Sequence, residues 1–291
     1  MKRLLALSII FILTTTIVHA QEAPAVPDTL NGWTHNWTLG FNGSQAAYSN
    51  WSQGGVNNLA LAGNSLYSAL YRQGRFSYAY QLNTRYGQTR IDGEGVRKTD
   101  DRLSIRNRFL YDLEEENSDF KVFGNINFRT QFDEGFQYGA GPDGENILIS
   151  NFMAPAYFSQ NAGLAYVPTE NFSFEAGLGL QQTIVRDESL STTYGLDEGQ
   201  TFKNEAGVNL SAGYTLNIAT NLNLSTSVET FTNLNKSVRS TDVQFLNQVT
   251  GRINNFMNAS LRLDIIYDDD FSNEIQVAQV LSLGISFILI E

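Results

Sequence analysis

The stretch Asp101-Arg102-Leu103-Ser104-Ile105-Arg106-Asn107-Arg108-Phe109-Leu110-Tyr111-Asp112-Leu113 decides the fold. Its odd positions are oily apart from Asp101 and Asn107, while its even positions carry Arg102, Ser104, Arg106, Arg108 and Asp112 beside Leu110. Successive side chains of a strand point to opposite faces, so this segment has one greasy face and one charged face. The same alternation runs through Phe76 to Tyr86, Phe202 to Ile218 and Ile275 to Leu289. Strands of soluble sandwiches usually span about five or six residues, whereas a tilted strand crossing a bilayer needs about nine to eleven. Period and length together predict membrane-spanning strands.

Working outward, the pattern gives twelve strands, near Trp33 to Gly43, Val56 to Tyr71, Phe76 to Ile91, Thr99 to Leu113, Phe120 to Phe132, Ala156 to Val167, Phe172 to Val185, Thr201 to Ile218, Leu222 to Thr232, Asp242 to Ile253, Phe256 to Tyr267 and Glu274 to Ile290. Short connections alternate with longer ones, the longer falling at Ser44 to Gly55, Asp92 to Lys98, Asp133 to Pro155, Arg186 to Gln200, Asn233 to Thr241 and Asp268 to Asn273. Short periplasmic turns and long external loops, with both termini inside, are the signature of an up-and-down transmembrane antiparallel β-barrel. Oily-parity aromatics fall at two heights: Tyr71, Phe76, Tyr111, Phe120, Tyr166, Phe172 and Phe287 beside the short turns, and Phe41, Tyr86, Phe132, Phe202 and Tyr267 toward the long loops. They predict two interfacial girdles.

Composition agrees. The 291 residues are polar on average yet 12% aromatic, with 24 Gly and only five Pro. Lys2 and Arg3 precede an apolar run, Leu4 to Val18, closed by Val18-His19-Ala20, which reads as a secretory signal over residues 1–20. Residues 21–32 then read as a flexible periplasmic segment and 33–291 as the barrel. Without the signal, 17 basic side chains face 30 acidic ones, which excludes a general nucleic-acid binder. The chain has no Cys, so disulfides, thiolate metal sites and Cys nucleophiles are excluded.

The runs Ser49-Asn50-Trp51-Ser52-Gln53-Gly54-Gly55, Ser150-Asn151-Phe152-Met153-Ala154-Pro155-Ala156-Tyr157 and Ile266-Tyr267-Asp268-Asp269-Asp270 resemble an uncharacterised family of bacterial outer-membrane barrels, the domain-of-unknown-function family 3078, over most of the mature chain. The resemblance implies the barrel, its bilayer lipids and the barrel-assembly machinery as partners, and no activity. Members tend to end on an aromatic; here Phe287 is displaced inward by Ile288-Leu289-Ile290-Glu291.

Inward parity places Arg85, Arg102, Arg106, Arg108, Lys121 and Arg129 on one wall and Glu175, Glu205, Glu229 and Asp264 on later strands. Two readings follow: a constriction whose transverse field sorts small polar or anionic solutes, or a closed structural or adhesive barrel in which these charges pair across a narrow lumen. A third, a membrane-embedded hydrolase, needs an imidazole base, and the mature chain offers only His35, on the oily parity beside Trp33 and Trp37. Enzyme activity is therefore not expected, nor is a cofactor, although acidic loop clusters such as Asp92 with Glu94, Asp187 with Glu188 and Asp268 to Asp270 are candidates for weakly held calcium or magnesium. Trp51 with Gly54 and Gly55 reads as a tight turn carrying an anchoring indole.

Overall fold

Alternation over twelve segments has one low-energy solution in a bilayer, because every strand edge must find a hydrogen-bonding partner where no water is available. The computed structural model, which describes residues 25–49, 55–268 and 272–290, adopts it. In chain order the strands are β1 Gly32–Ala46, β2 Asn58–Gln73, β3 Phe76–Ile91, β4 Gly95–Asp112, β5 Phe120–Thr130, β6 Gly135–Gln137, β7 Ile147–Ser150, β8 Ala156–Thr169, β9 Phe172–Ile184, β10 Phe202–Ala219, β11 Leu222–Asn233, β12 Thr241–Arg252, β13 Met257–Asp268 and β14 Ser272–Ile290. Twelve of them close a barrel in the order β1-β14-β13-β12-β11-β10-β9-β8-β5-β4-β3-β2, with every pair antiparallel. The remaining two, β6 and β7, form a separate hairpin.

The barrel is built inside out. Among the described residues, twenty buried side chains are polar or charged and twelve are apolar, while Leu178, Val277 and Leu281 on the outward parity are more than three-fifths exposed. Such a surface aggregates in water and is stable against acyl chains. Phe76, Tyr111, Phe120, Tyr166 and Phe287 stand exposed beside the short turns, and Phe41, Phe132 and Phe202 toward the other rim. Pairs such as Trp33 with Tyr71, ring centroids 4.9 Å apart, and Phe120 with Tyr166 at 5.0 Å tie neighbouring strands together at the inner rim. Tyr267 stands opposite Val243, on the parity of the exposed Phe245 and opposite to that of Gln244, beside a register shift against β14 between Ile266 and Asp268.

Two connections expected to be long are short. Strands β3 and β4 continue pairing to Ile91 with Gly95, so only residues 92–94 join them, with Gly93 and Gly95 at positive φ making the tight reversal. Strands β13 and β14 leave only 269–271 between them. The β5–β8 and β9–β10 connections fold together into an external lobe, in which Ala154, Val185, Leu190 and Leu196 pack with Leu148 and Tyr194. The Tyr194 hydroxyl donates to the Ile149 carbonyl at 2.6 Å, and burial pushes this phenol up to about 12. A neutral phenol is favoured in the folded lobe, so its contribution is complete below the ordinary value of 10.0 and is lost as pH rises through about 12. An alkaline tyrosinate titration should show one late-ionising phenol fewer in Tyr194→Phe; superimposable titrations would contradict this packing.

Candidate functional site

The site is the lumen. The strand register places the predicted residues on it: Arg85 lies opposite Arg102, Ser104 opposite Arg129, Arg129 opposite Tyr157 and Glu229 opposite Gln244. Above mid-height, a cavity of about 1050 Å³, including open space at its mouth, is lined by Arg102, Arg106, Arg129, Tyr157, Glu229 and a set of amides. A smaller one of about 440 Å³, again including open space, lies below it and shares Arg106, Asn127, Asn161, Asn209 and Glu229.

Where the two cavities meet, Arg106 Nη1 stands 3.5 Å from Glu229 Oε1. Strands β4 and β11 are five apart one way around the barrel and seven the other, so this contact spans the lumen. A second spanning contact joins Arg262 on β13 to Asp100 on β4 at 3.8 Å, and Asp100 also takes Arg85 at 3.5 Å. Both partners of the Arg106 contact remain partly exposed, at 18% and 28%, which puts it among hydrated pairs worth about 0–1 kcal/mol. The Arg108–Glu175 pair is different. Arg108 Nε donates to Glu175 Oε1 at 2.8 Å, Asn125 Nδ2 donates to Oε2 at 2.8 Å, and both charged groups are buried.

Below that, Leu110, Phe123 and Ala165 with Val167 form an apolar cluster on one wall. Gly177 admits the Phe123 ring, since a Cβ there would come within 3.0 Å of the Phe123 Cζ. At the inner rim the Asp112 carboxylate accepts from Arg72 Nη2 at 2.9 Å, Lys121 Nζ at 2.5 Å and the Asn117 amide at 2.8 Å. Residues 25–31 lie across this mouth: the Asp28 carboxylate is 3.4 Å from Arg72, and its amide donates to Glu170 in the β8–β9 turn at 3.2 Å. That turn is five strands from β1, so the segment reaches nearly the far side.

The lumen therefore gathers Arg102, Arg106, Arg108, Arg129, Glu175 and Glu229 on the cavities, with Arg85 opposite Arg102 in the register and Asp264 3.5 Å from Arg262. Lys121 stands apart, in the inner-rim cluster, and Glu205 stands near the outer rim, with Lys203 at 3.1 Å and Lys236 at 3.6 Å. Sequence reading passed over Asp112, Arg262, Arg72 and the pairing role of Asp100, although the same inward parity marks all four. It also passed over the amides. His35 is lipid-facing, 2.8 Å from the Tyr67 hydroxyl and stacked on Trp33.

Trp51 and Gly54 lie outside the described residues; Gly55 follows them at φ +149° against the Tyr48 ring. The external acids are engaged locally. A hydrogen bond from Tyr86 holds the Asp133 carboxyl below the usual range, and bonds from Ser189 do the same for Asp187. Among the described residues no group of three or more His, Asp or Glu side chains is arranged to hold a metal ion.

Comparison with solved structures finds outer-membrane barrels. An outer membrane channel from Pseudomonas putida F1 is similar at 12% identity and TM-score 0.42, with 94% of this chain and 99% of that chain covered. The translocator domain of the autotransporter NalP from Neisseria meningitidis is similar at 14% identity and TM-score 0.40, covering 88% of this chain and 87% of that one. OprB from Pseudomonas putida is similar at 8% identity and TM-score 0.31, covering 88% and 94%. No curated protein matches. With a barrel that is greasy outside and polar within, the chain has the fold of outer-membrane barrel proteins, and its residues 43–136, which include the first of the three motifs noted above, match the family model described as "Protein of unknown function (DUF3078)".

Proposed function

We propose that the protein is a narrow, gated outer-membrane channel for small polar or anionic solutes. The observation that carries this reading is the Arg106–Glu229 contact, a long and partly hydrated pair lying between two polar cavities stacked along the lumen. Lumen atoms deeper in the barrel support it. Asn125 Oδ1, Ser227 Oγ and Asn223 Oδ1 are buried without a partner among the described residues, and buried polar groups of this kind are satisfied by solvent. A string of such groups from mid-height to the inner rim favours a hydrated path over a dry core. Export through residues 1–20 as a cleaved signal, no cofactor and no catalysis belong to the same reading.

A closed structural barrel is the second reading. It is favoured by the burial of Phe123, Leu110, Asn223 and Thr250 in the inner half, which narrows the path there. The test is purified protein in a planar bilayer under a salt gradient. The channel reading expects discrete currents whose reversal potential favours anions; silence at every voltage would establish the closed scaffold.

A further inference from the structure

The upper cavity holds two cations of a particular kind. Arg102 and Arg129 have no carboxylate within ion-pair distance among the described residues, whereas Arg85, Arg106 and Arg108 each have one and Arg262 has two. Arg102 lies opposite Arg85 in the strand register and shares the cavity with Arg106 and Arg129. Asp242 and Asp268 line the same cavity from β12 and β13, each with contacts of its own. Arg129 is held in place, its guanidinium stacked 4.7 Å above the Tyr157 ring. A fixed planar fork of donors suits a carboxylate, which it can grip through two parallel hydrogen bonds.

A second observation is independent of charge. Gln81 lines this cavity at 2% exposure, and its Nε2 has no hydrogen-bond partner among the described residues. Asn83, Asn127, Asn161, Gln181 and Asn209 line the same cavity. Each side-chain amide offers a donor and an acceptor, which complements a hydroxyl group that does the same. A halide can use only the donors, whereas a polyol uses donors and acceptors together.

We propose that the upper cavity is a binding subsite for a sugar acid, a polyhydroxylated solute bearing a carboxylate. The carboxylate sits on Arg102 and Arg129, and hydroxyls sit among Gln81 and the neighbouring amides. The proposal rests on reading the lumen as a solute path, and it names the class of solute that path admits.

The experiment is titration calorimetry of the detergent-folded full chain with D-glucuronate, D-glucose, acetate and inorganic phosphate. Glucuronate is expected to bind at least about tenfold more tightly than each of the other three, a margin that needs charge and hydroxyls recognised together. Arg102→Gln with Arg129→Gln should abolish that binding, and Gln81→Leu should weaken glucuronate while leaving acetate unchanged. Arg129→Lys, which keeps the charge and loses the fork, should give intermediate affinity and guards against misfolding of the double variant. Equal binding of acetate or phosphate, or no heat with glucuronate, overturns the subsite. Glucuronate heat without bilayer current would remove the channel and keep the subsite; current without that heat would do the reverse.

Discussion

Asp112→Ala should cost the barrel about 3–5 kcal/mol, a large share of the roughly 5–15 kcal/mol that holds a typical domain folded. The Asp112 side chain is fully buried, and its two oxygens compensate Arg72 and Lys121, themselves nearly inaccessible. Removing the carboxylate strands two cations away from water with part of their hydrogen bonding gone, and desolvated unpaired charge is among the most expensive defects a fold can carry. Arg72 keeps Asn117 and Asp28, which places the loss below that of two wholly orphaned ions. The carboxylate also accepts the Asn117 amide, and Asn117 turns the β4–β5 connection at φ +66°. The turn should loosen along with the cluster. Asp112→Asn keeps the hydrogen-bond geometry and removes the charge, so it should fall between wild type and Ala. Urea unfolding of the liposome-folded protein reads all three; a loss under about 1 kcal/mol for Ala would show that the cluster is not a structural anchor.

The second large effect is on conduction. Replacing Arg106 and Glu229 together by Ala removes both arms of the contact that spans the lumen between the cavities, and single-channel conductance should rise at least roughly twofold as that contact opens. Arg106→Ala alone leaves Glu229 unpaired in the passage, so anion preference should fall or reverse. Stability should hardly change, because an exposed pair of this length contributes little. By contrast, Glu175→Ala should unfold more readily with little gain in current, since Arg108 and Asn125 are gripped from one side of the lumen.

These two cases show which part of the molecule the sequence makes legible. Strand number, parity and most bounds follow from alternation along single segments, because the bilayer tolerates only one orientation of each strand. The stretch from Asp101 to Leu113 alone puts Arg102, Arg106, Arg108 and Asp112 inside. What local alternation does not encode is which inward residues face each other across the lumen. That depends on closure of β1 against β14, and so on registers accumulated around the whole ring. Arg106 meets Glu229 across 123 positions of sequence, and Arg262 meets Asp100 by the other way round. The expected walls of opposite sign are therefore interleaved by pairing at mid-height, while Arg102 and Arg129 stand together in the upper cavity. The Asn and Gln side chains carry no charge to attract notice in a sequence. Their convergence on one cavity appears only when the strands are brought together.

The absence of cysteine allows the most direct test of a solute path through this contact. Arg106→Cys with Glu229→Cys, bridged across the lumen by a bifunctional thiol reagent carrying a reducible spacer, gives a barrel whose current can be followed before bridging, after bridging and after reduction. The account predicts that bridging blocks the current and that reduction restores it. A current indifferent to the bridge would mean that solutes do not pass between β4 and β11.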